Sequence, residues 1–197
     1  MTDSTSTPVR RKGRARARLL DAAARRFYAD GIAGTGIDAI TADAGVAKMS
    51  LYNNFASKAD LVEAYLNERH AEWLGLFEAR AAGAASARER VLAVFDAYID
   101  HAQQAYDHGF RGCGLLNAAA ELPAGDPGRA IVRAHKEEVE TILRDELAAL
   151  VDTDRAARLA QHLSFILEGS MARAGLEGEE RQLADARRLA VDLLAAL

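Results

Sequence analysis

The sequence predicts an all-α fold of about nine helices, and three observations support this prediction. Alanine, leucine, arginine and glutamate, which suit helices, are abundant in a chain of 197 residues of which half are hydrophobic. Apolar residues recur at helical spacing, and no segment shows the alternation that is typical of a strand. Only three prolines interrupt the chain, so long segments can stay helical.

Composition excludes membrane and secreted classes of protein. No run of 18 apolar residues occurs, which predicts that no helix spans a membrane. The N-terminus is polar and then basic, without the apolar core of a secretory signal. The single cysteine, Cys113, cannot form an internal disulfide. We therefore expect a cytoplasmic protein with no membrane partner.

Charge is distributed unevenly along the chain. Residues 1–58 contain ten Lys or Arg and five Asp, which gives +5, whereas the whole chain carries −4, so the remainder carries −9. A basic N-terminal segment followed by an acidic remainder indicates that the N-terminal segment binds a polyanion. Solvated surface charge without a partner is the alternative explanation.

The chain begins with a tail and an arm before the first helix. Residues 1–9 are rich in Ser and Thr and are predicted to be disordered. Residues 10–18 hold six basic side chains and predict a flexible arm that leads into a helix. That helix is expected from about residue 14 to residue 30, where Gly31 stops it.

Two short helices around a tight turn follow. Thr35 and Asp38 suggest a capping box at the start of the second helix, which runs to about Ala44. Gly45 permits a sharp turn, and a third helix is expected over about 47–53. Its exposed face is polar, with one cation and no acid, and consists of Lys48, Met49, Ser50, Tyr52, Asn53 and Asn54.

Capping signals and breaks locate the remaining six helices. Ser57 with Asp60, and Ser86 with Glu89, predict the starts of a long fourth and a fifth helix. A loop over 107–114 is expected to precede a short sixth helix. Three longer helices close the chain, at about 128–150, 154–176 and 180–197.

Residues 35–61 resemble the DNA-binding domain of the TetR family of transcriptional regulators. The residues that carry the resemblance are Thr35, Ile40, Ala44, Gly45, Val46, Tyr52, Phe55, Lys58 and Leu61. Ala47 departs from the family pattern, since members often have a Ser there that caps the recognition helix. Loss of such a cap typically costs about 1 kcal/mol.

The resemblance implies contacts with an operator in double-stranded DNA. Phosphate contacts are expected from Thr35, Tyr52 and Lys58, while Arg14 and the basic arm follow phosphates or enter the minor groove. Candidates for the major groove are Lys48, Met49, Ser50 and Asn53. Packing against the first helix is the alternative for Tyr52, and a turn role is preferred for Asn54.

The resemblance also implies three parts: a flexible basic arm at 1–13, a helix-turn-helix domain at 14–60, and a ligand-binding and dimerisation domain at 61–197. Apolar stripes on the last two helices would pair with their equivalents in a homodimer. The first stripe consists of Leu159, Leu163, Ile166, Leu167 and Met171, and the second of Leu183, Leu189, Leu193 and Leu194. Closing the core of a monomer is the other explanation for those stripes. A dimer also suits an operator with two half-sites.

A small organic inducer is expected to bind between the middle helices. The candidate ligand-binding residues are Phe95, Tyr98, Phe110, Cys113, Leu116, Asn117, His135, His162 and Phe165. For each of them a place in the core is the preferred explanation. Asn117 and Glu121 share one face of the sixth helix, for which a structural role is favoured. Two roles are open for Cys113: a thiol that senses electrophiles, or a small residue that packs the turn. The packing role is favoured.

These observations predict a regulator and not an enzyme. The spacing of Gly31, Gly34 and Gly36 does not fit a nucleotide-binding loop, and no hydrolase motif occurs. Neither a cofactor nor a metal site is expected. The predicted function is repression relieved by a small molecule. A thiol-sensing repressor that acts through Cys113, or a DNA-binding protein without an inducer, is the alternative.

Overall fold

The computed structural model describes residues 8–103 and 109–197, with side chains from residue 13. Regular structure in these residues is entirely helical, which confirms the predicted fold class. The helices are α1 Pro8–Asp30, α2 Ile37–Ala44, α3 Lys48–Tyr52, α4 Lys58–Ala81, α5 Ala87–Gln103, α6 Gly114–Glu121, α7 Pro127–Leu147, α8 Thr153–Glu177 and α9 Arg181–Ala195. None of them is long and apolar enough to cross a membrane.

The first helix begins at Pro8, earlier than the predicted start near Arg14. Proline suits the first turn of a helix, and the Arg, Lys and Ala residues after it are strong helix formers. The whole predicted arm, residues 10–18, and the last two residues of the predicted tail are therefore helical. Residues 1–7, where the tail was expected, and the side chains of residues 10–12 lie outside what the structure describes.

The predicted capping boxes of α4 and α5 are confirmed. Ser57 Oγ accepts the amide of Asp60 at 3.1 Å, and the Asp60 carboxylate accepts the amide of Ala56 at 2.8 Å. Ser86 Oγ accepts the amide of Glu89 at 3.2 Å in the same way. These bonds satisfy backbone donors that a helix start leaves open, so sequence defines both starts.

Helices α1–α3 form the head, and helices α4–α9 form the body. In the body, α5 lies at the centre and packs against α4, α7 and α9. Ion pairs reinforce this packing: Arg90 pairs with Glu146 on α7 at 2.6 Å, and Arg187 on α9 pairs with Asp96 at 2.6 Å. The head rests on α4 and α6 through α1.

Apolar side chains remain exposed on α8 and α9 of the single chain. Their exposed fractions include 64% for Phe165 and 53% for Leu189. The set consists of Phe165, Leu176, Leu189, Val191 and Leu193. The stripe of α8 that was predicted to pair in a dimer is instead buried in the body at Leu163, Leu167 and Met171, so it closes the core of the single chain and that prediction is corrected. Of the predicted α9 stripe, Leu183 and Leu194 are also buried, whereas Leu189 and Leu193 are exposed. The two helices thus have a second apolar face that the chain itself does not cover.

Candidate nucleic-acid interface and interior cavity

The head contains two short helices joined by a left-handed turn. Gly45 ends α2 with φ 58° and ψ 42°, a conformation that favours glycine, and its amide bonds back to Thr41 and Ala42. The α3 helix starts after Ala47, which supplies no side-chain cap, as its sequence predicted. Leu51 and Phe55 are buried and attach α3 to the core of the head. This arrangement is a helix-turn-helix.

The outer face of α3 is free to meet another surface. Met49 is 68% exposed and Tyr52 is 48% exposed, which is unusual for large apolar side chains on so short a helix. Lys48 and Asn53 are exposed beside them. Asn54 instead donates to the carbonyl of Ser50 at 2.7 Å, which matches the turn role preferred for it.

The cation of this face is held in an ion pair. Lys48 Nζ lies 2.8 Å from Asp38 Oδ1, at the first turn of α2. The hydrogen bond from Lys48 to this carboxylate raises the pKa of the lysine, so the amine stays charged. Because both side chains are largely exposed, solvent screens the attraction, and the lysine can exchange Asp38 for another acceptor.

Two residues expected to contact phosphate are engaged within the protein. Thr35 is only 2% exposed and its hydroxyl donates to the carbonyl of Gly31 at 2.6 Å. The α2 helix starts after Gly36 without a side-chain cap, so the predicted Thr35 cap is wrong. Lys58 Nζ donates to the carbonyl of Ile32 at 2.5 Å. Both side chains stabilise the loop between α1 and α2.

Basic residues of α1 lie along the helix-turn-helix. Arg14 is exposed. The guanidinium of Arg16 lies 5.1 Å from the centre of the Phe55 ring, within range of a cation–π interaction. Arg18 donates to the carbonyl of Gly45 at 3.3 Å. Positive charge from α1 is thereby placed beside the turn that positions α3.

The start of α6 and the loop before it form hydrogen bonds with the end of α1. Arg111 Nη1 donates to the carbonyls of Tyr28 and Ala29, each at 2.6 Å. The Tyr28 hydroxyl accepts the amide of Arg111 at 2.6 Å and donates to the carbonyl of Gly112 at 3.1 Å. Burial is the main cause that raises the pKa of Tyr28, to about 12, so this hydroxyl keeps its proton. We call these bonds, together with those of Glu121, the body–head contact.

Glu121 completes the body–head contact from the other end of α6. Its two carboxylate oxygens accept the amides of Ile32 at 3.0 Å and Ala33 at 2.7 Å. Asn117 donates to the carbonyl of Arg111 at 2.9 Å, which agrees with the structural role favoured for it. The shared face of Asn117 and Glu121 therefore serves the protein's own backbone.

A small cavity lies inside the body, between α4, α5, α6 and α7. Its volume is about 20 Å³, which is room for about one water molecule. We call it the interior cavity, and its lining residues are Arg69, Trp73, Tyr98, His101, Cys113, Gly114, Leu115 and His135. Three of the predicted ligand-binding residues, Tyr98, Cys113 and His135, are thus brought together.

A half-buried lysine borders the interior cavity. Lys136 Nζ lies 2.7 Å from Glu168 Oε1, 3.3 Å from the Tyr98 hydroxyl and 3.7 Å from Cys113 Sγ. Burial by itself lowers the pKa of Lys136, but the neighbouring Cys113, Tyr98 and Glu168 outweigh it and raise the pKa above its ordinary value. The amine therefore carries a charge inside the body.

A histidine pair joins α4 to α7 at the edge of the cavity. His70 Nδ1 and His135 Nδ1 are 3.0 Å apart, so one nitrogen donates and the other accepts. His135 packs edge-on against Trp73, with ring centres 5.3 Å apart. Burial, with Lys136 nearby, lowers the pKa of His135 to about 3 and keeps its ring neutral.

Comparison with solved structures gives the family. A TetR-family transcriptional regulator from Streptomyces coelicolor is 34% identical with a TM-score of 0.84, and the match covers 93% of this chain and 96% of that one. The chain belongs to the TetR family. A TetR-type regulator from Streptomyces avermitilis is 32% identical with a TM-score of 0.70, over 89% of this chain and 97% of that one.

Two further comparisons concern the family model and a more distant structure. The model of bacterial regulatory proteins of the tetR family matches residues 19–65, which include the helix-turn-helix. A TetR regulator from Chloroflexus aurantiacus is 26% identical with a TM-score of 0.79, over 94% of this chain and 96% of that one. No curated protein gave a significant match. The chain is thus a DNA-binding transcriptional regulator of the TetR family, and its relatives are regulators and not enzymes.

Several predicted ligand-binding residues of this TetR-family chain lie away from the interior cavity. His162 and Phe165 are exposed on α8, because the helical period that buries Leu163 turns its neighbours outward. Leu116 is likewise exposed, on the outer side of α6. Phe95 and Phe110 are buried among core side chains but are not among those that line the cavity. For His162, Phe165 and Leu116 the prediction of an interior position is corrected.

Sequence reasoning missed four polar residues of the cavity region, which are Arg69, Trp73, His101 and Lys136. Lys136 follows Val132 by four residues and precedes Val139 by three, so it shares the buried face of α7. Arg69 and Trp73 are four apart on α4, on one face. A charged residue in register with an apolar stripe is the signal that could have identified Lys136 and Arg69.

Proposed function

We propose that this protein is a ligand-responsive repressor that binds a near-palindromic operator as a homodimer and is released by a small molecule. Residues 14–60, which comprise most of the head and the start of α4, read DNA, and residues 61–197 of the body bind the molecule and the second chain. The observation that carries this proposal is the body–head contact. It joins the wall of an interior cavity to the end of α1, so a change in the body can reach the reading helix.

In this proposal α3 enters the major groove. Lys48 reads guanine, Asn53 reads adenine, and Met49 contacts a thymine methyl group, while Ser50 adds a hydrogen bond. The exposed face of α3 and the absence of acids on it support this assignment. Lys48 exchanges its Asp38 partner for the base.

Phosphate contacts would then position the head on the duplex. Tyr52 and Arg14 reach phosphates directly, since both are exposed. Thr35 and Lys58 can contact phosphate only if they share or give up their bonds to the carbonyls of Gly31 and Ile32. We therefore assign these two residues a weaker part in binding.

Dimerisation uses the exposed apolar face of α8 and α9. Five large apolar side chains are exposed on these two helices, and exposed apolar side chains grouped on neighbouring helices support an interface between subunits. Two heads on one dimer would reach half-sites about one helical turn apart. One α3 helix of five residues spans too few base pairs to specify a site alone.

Fluorescence anisotropy on the DNA upstream of the protein's own gene tests this function. We expect tight binding with two chains per site, which weakens with salt and is lost on scrambled DNA. Equal binding to scrambled DNA would contradict the operator-specific function. Intact operator binding that no small molecule weakens would favour a DNA-binding protein without an inducer.

A thiol sensor is the second candidate, because Cys113 lines the interior cavity and lies 3.7 Å from the Lys136 ammonium. In this version an electrophile alkylates Cys113 Sγ, and the added group displaces the start of α6. N-ethylmaleimide would then reduce operator binding in the wild type but not in Cys113→Ser. Equal effects in both proteins, or no effect in either, would exclude the thiol sensor.

A further inference from the structure

The interior cavity contains hydrogen-bond donors that have no acceptor. Trp73 Nε1 and Arg69 Nε are both buried, and neither has a hydrogen-bond partner among the described residues. Trp73 is only 3% exposed, and both residues line the cavity. An indole N–H and a guanidinium N–H can only donate. Since an unsatisfied buried donor costs free energy, the two together indicate an occupant that supplies acceptors.

Other groups of the lining add a donor and no charge. The Tyr98 hydroxyl accepts from Lys136 at 3.3 Å, which leaves its own proton available to an occupant. Burial raises the pKa of Tyr98, so the hydroxyl keeps that proton at neutral pH. His135 is neutral, since burial lowers its pKa to about 3. Burial lowers the pKa of His101 as it does that of His135, so both imidazoles are neutral. Among the described lining residues Arg69 is therefore the cation, and Trp73 and Tyr98 are neutral donors.

Acidic residues near the cavity form ion pairs, but one oxygen of each has no hydrogen-bond partner among the described residues. None of its described lining residues is an Asp or a Glu. Glu72 Oε2 lies 2.5 Å from Arg69 Nη1 in an ion pair. Even so, Glu72 Oε2, Glu168 Oε2 and Arg69 Nε are all buried without a hydrogen-bond partner among the described residues. Glu168 is held by Lys136 at 2.7 Å. No carboxylate of these residues fills the acceptor position that Trp73 and Arg69 leave open.

The geometry points to a small carboxylate, such as the anion of a short-chain monocarboxylic acid, as the molecule that the interior cavity binds. Its oxygens would accept from Arg69 Nε, from the indole of Trp73 and from the hydroxyl of Tyr98. A carboxylate has several acceptor sites and no donor, which matches this lining. This inference rests on the proposed function, of which it specifies the inducer class.

The size of the cavity limits the acid and links its binding to the head. About 20 Å³ is too small even for a short-chain acid, so the cavity must expand. Cys113, Gly114 and Leu115 form one wall, and they begin α6. Expansion at this wall moves the helix that carries Glu121 and therefore strains the body–head contact.

An entry path lies on the outer side of the same region. A groove of about 510 Å³ between α7 and α8 is lined by residues that include Lys136 and Glu168. Lys136 also contacts Tyr98, which lines the interior cavity. Separation of the Lys136–Glu168 pair would connect the groove to the cavity.

Fluorescence of Trp73 tests the inference directly, since it is the only tryptophan of the chain. Sodium formate, acetate, propionate and butyrate would be titrated at pH 7, where these acids are ionised, at an ionic strength held constant with sodium chloride. Propionamide, which has nearly the same shape but no charge, is the matched control. We expect saturable changes in fluorescence with at least one acid and none with propionamide.

Variants identify the residues that hold the acid. Arg69→Gln should weaken its binding at least tenfold, measured by calorimetry, whereas Arg88→Gln, at an exposed position on α5, should not. Trp73→Phe keeps an aromatic ring and removes the N–H, and we expect several-fold weaker binding by calorimetry. Circular dichroism would verify that each variant is folded. If a variant does not fold, the comparison of the acids with propionamide on the wild-type protein still tests the carboxylate site.

The outcomes separate this inference from the proposed function. Operator binding that is weakened by the acid supports both. Acid binding without any effect on operator affinity supports the carboxylate site and overturns its role as inducer. Operator binding that stays intact while no acid binds, or while propionamide binds equally well, overturns the carboxylate site and leaves the DNA-binding function standing.

Discussion

Glu121 Oε1 on α6 accepts the backbone amide of Ile32 at 3.0 Å, so a carboxylate of the body fixes the turn that follows α1 in the head. The other oxygen accepts the amide of Ala33 at 2.7 Å. Gly31, just before them, has φ 82°, and a Cβ there would lie 2.8 Å from Glu121 Oε1. The turn at residues 31–33 therefore fits closely around the Glu121 carboxylate, so a shift of α6 must disturb this turn.

Replacement of this carboxylate by an amide should loosen the turn. Glu121→Gln keeps one acceptor but presents an NH₂ group to the second backbone amide. We expect amide hydrogen exchange at Ile32 and Ala33 to accelerate about tenfold, since loss of a charged hydrogen bond costs about 1.5–3 kcal/mol and part of it is retained. Thermal unfolding should shift down by about 2–4 °C.

The control for Glu121→Gln is Glu137→Gln, a change at an exposed glutamate of α7 that pairs only with Arg133 among the described residues. It should leave the exchange of Ile32 and Ala33 unchanged. Equal exchange rates in wild type and Glu121→Gln would mean that the carboxylate does not hold the turn.

Lys48→Ala tests the reading helix. We expect the free energy of operator binding to weaken by about 1–3 kcal/mol, roughly fivefold to 150-fold in affinity, because a side-chain contact to a guanine edge contributes a free energy of this size. Discrimination at one base pair should also relax. Anisotropy on the operator and on single-base variants measures both effects. Arg133→Ala removes an exposed cation from the body and should change neither quantity. An unaltered base preference in Lys48→Ala would exclude α3 as the reader.

Local signals predicted most of the fold. The Ser57–Asp60 and Ser86–Glu89 boxes and the Gly45 turn depend on groups close in sequence, and the structure confirms them. Thr35 does not cap α2, because its hydroxyl donates to the carbonyl of Gly31 instead. The local sequence pattern does not show which of these two hydrogen bonds a threonine makes.

The interior was harder to predict, since it depends on which helix faces meet. The periodicity of α8 is compatible with either of its apolar faces being inside, and the structure buries Leu163 and exposes Phe165. Cys113 and Lys136 are 23 residues apart and meet only because α6 packs on α7. The helix-turn-helix could be predicted because its contacts are local, whereas the cavity could not.

The exposed apolar face of α8 and α9 predicts an effect of charge on assembly. Leu189→Glu places a carboxylate where a second chain would bury it, and desolvation of that charge should dissociate the dimer. Sedimentation velocity should give the mass of a single chain for this variant and twice that mass for the wild type. Leu116→Glu, at an exposed apolar position on α6, is the matched control and should remain dimeric. A dimeric Leu189→Glu would place the interface elsewhere.

His135 should make stability depend on pH below neutrality. Its pKa is about 3 in the folded protein, lowered mainly by burial, against about 6.5 in an unfolded chain. Between these values the unfolded state binds a proton that the folded state does not, so stability is full above about pH 6.5 and is lost as the pH falls. The loss should approach about 1.4 kcal/mol per pH unit from this one group.

Urea unfolding at pH 7.5, 6.5, 5.5 and 4.5 would measure this dependence. His135→Gln should be less stable at pH 7.5, because it loses packing against Trp73, but its stability should fall less steeply with acid. His162→Gln changes an exposed histidine of α8 and should keep the wild-type slope. The folded state takes up no proton at His135 only while the ring stays buried against Trp73 and shares its hydrogen bond with His70. An identical slope in His135→Gln and wild type would therefore show that this ring is open to protonation in the folded protein.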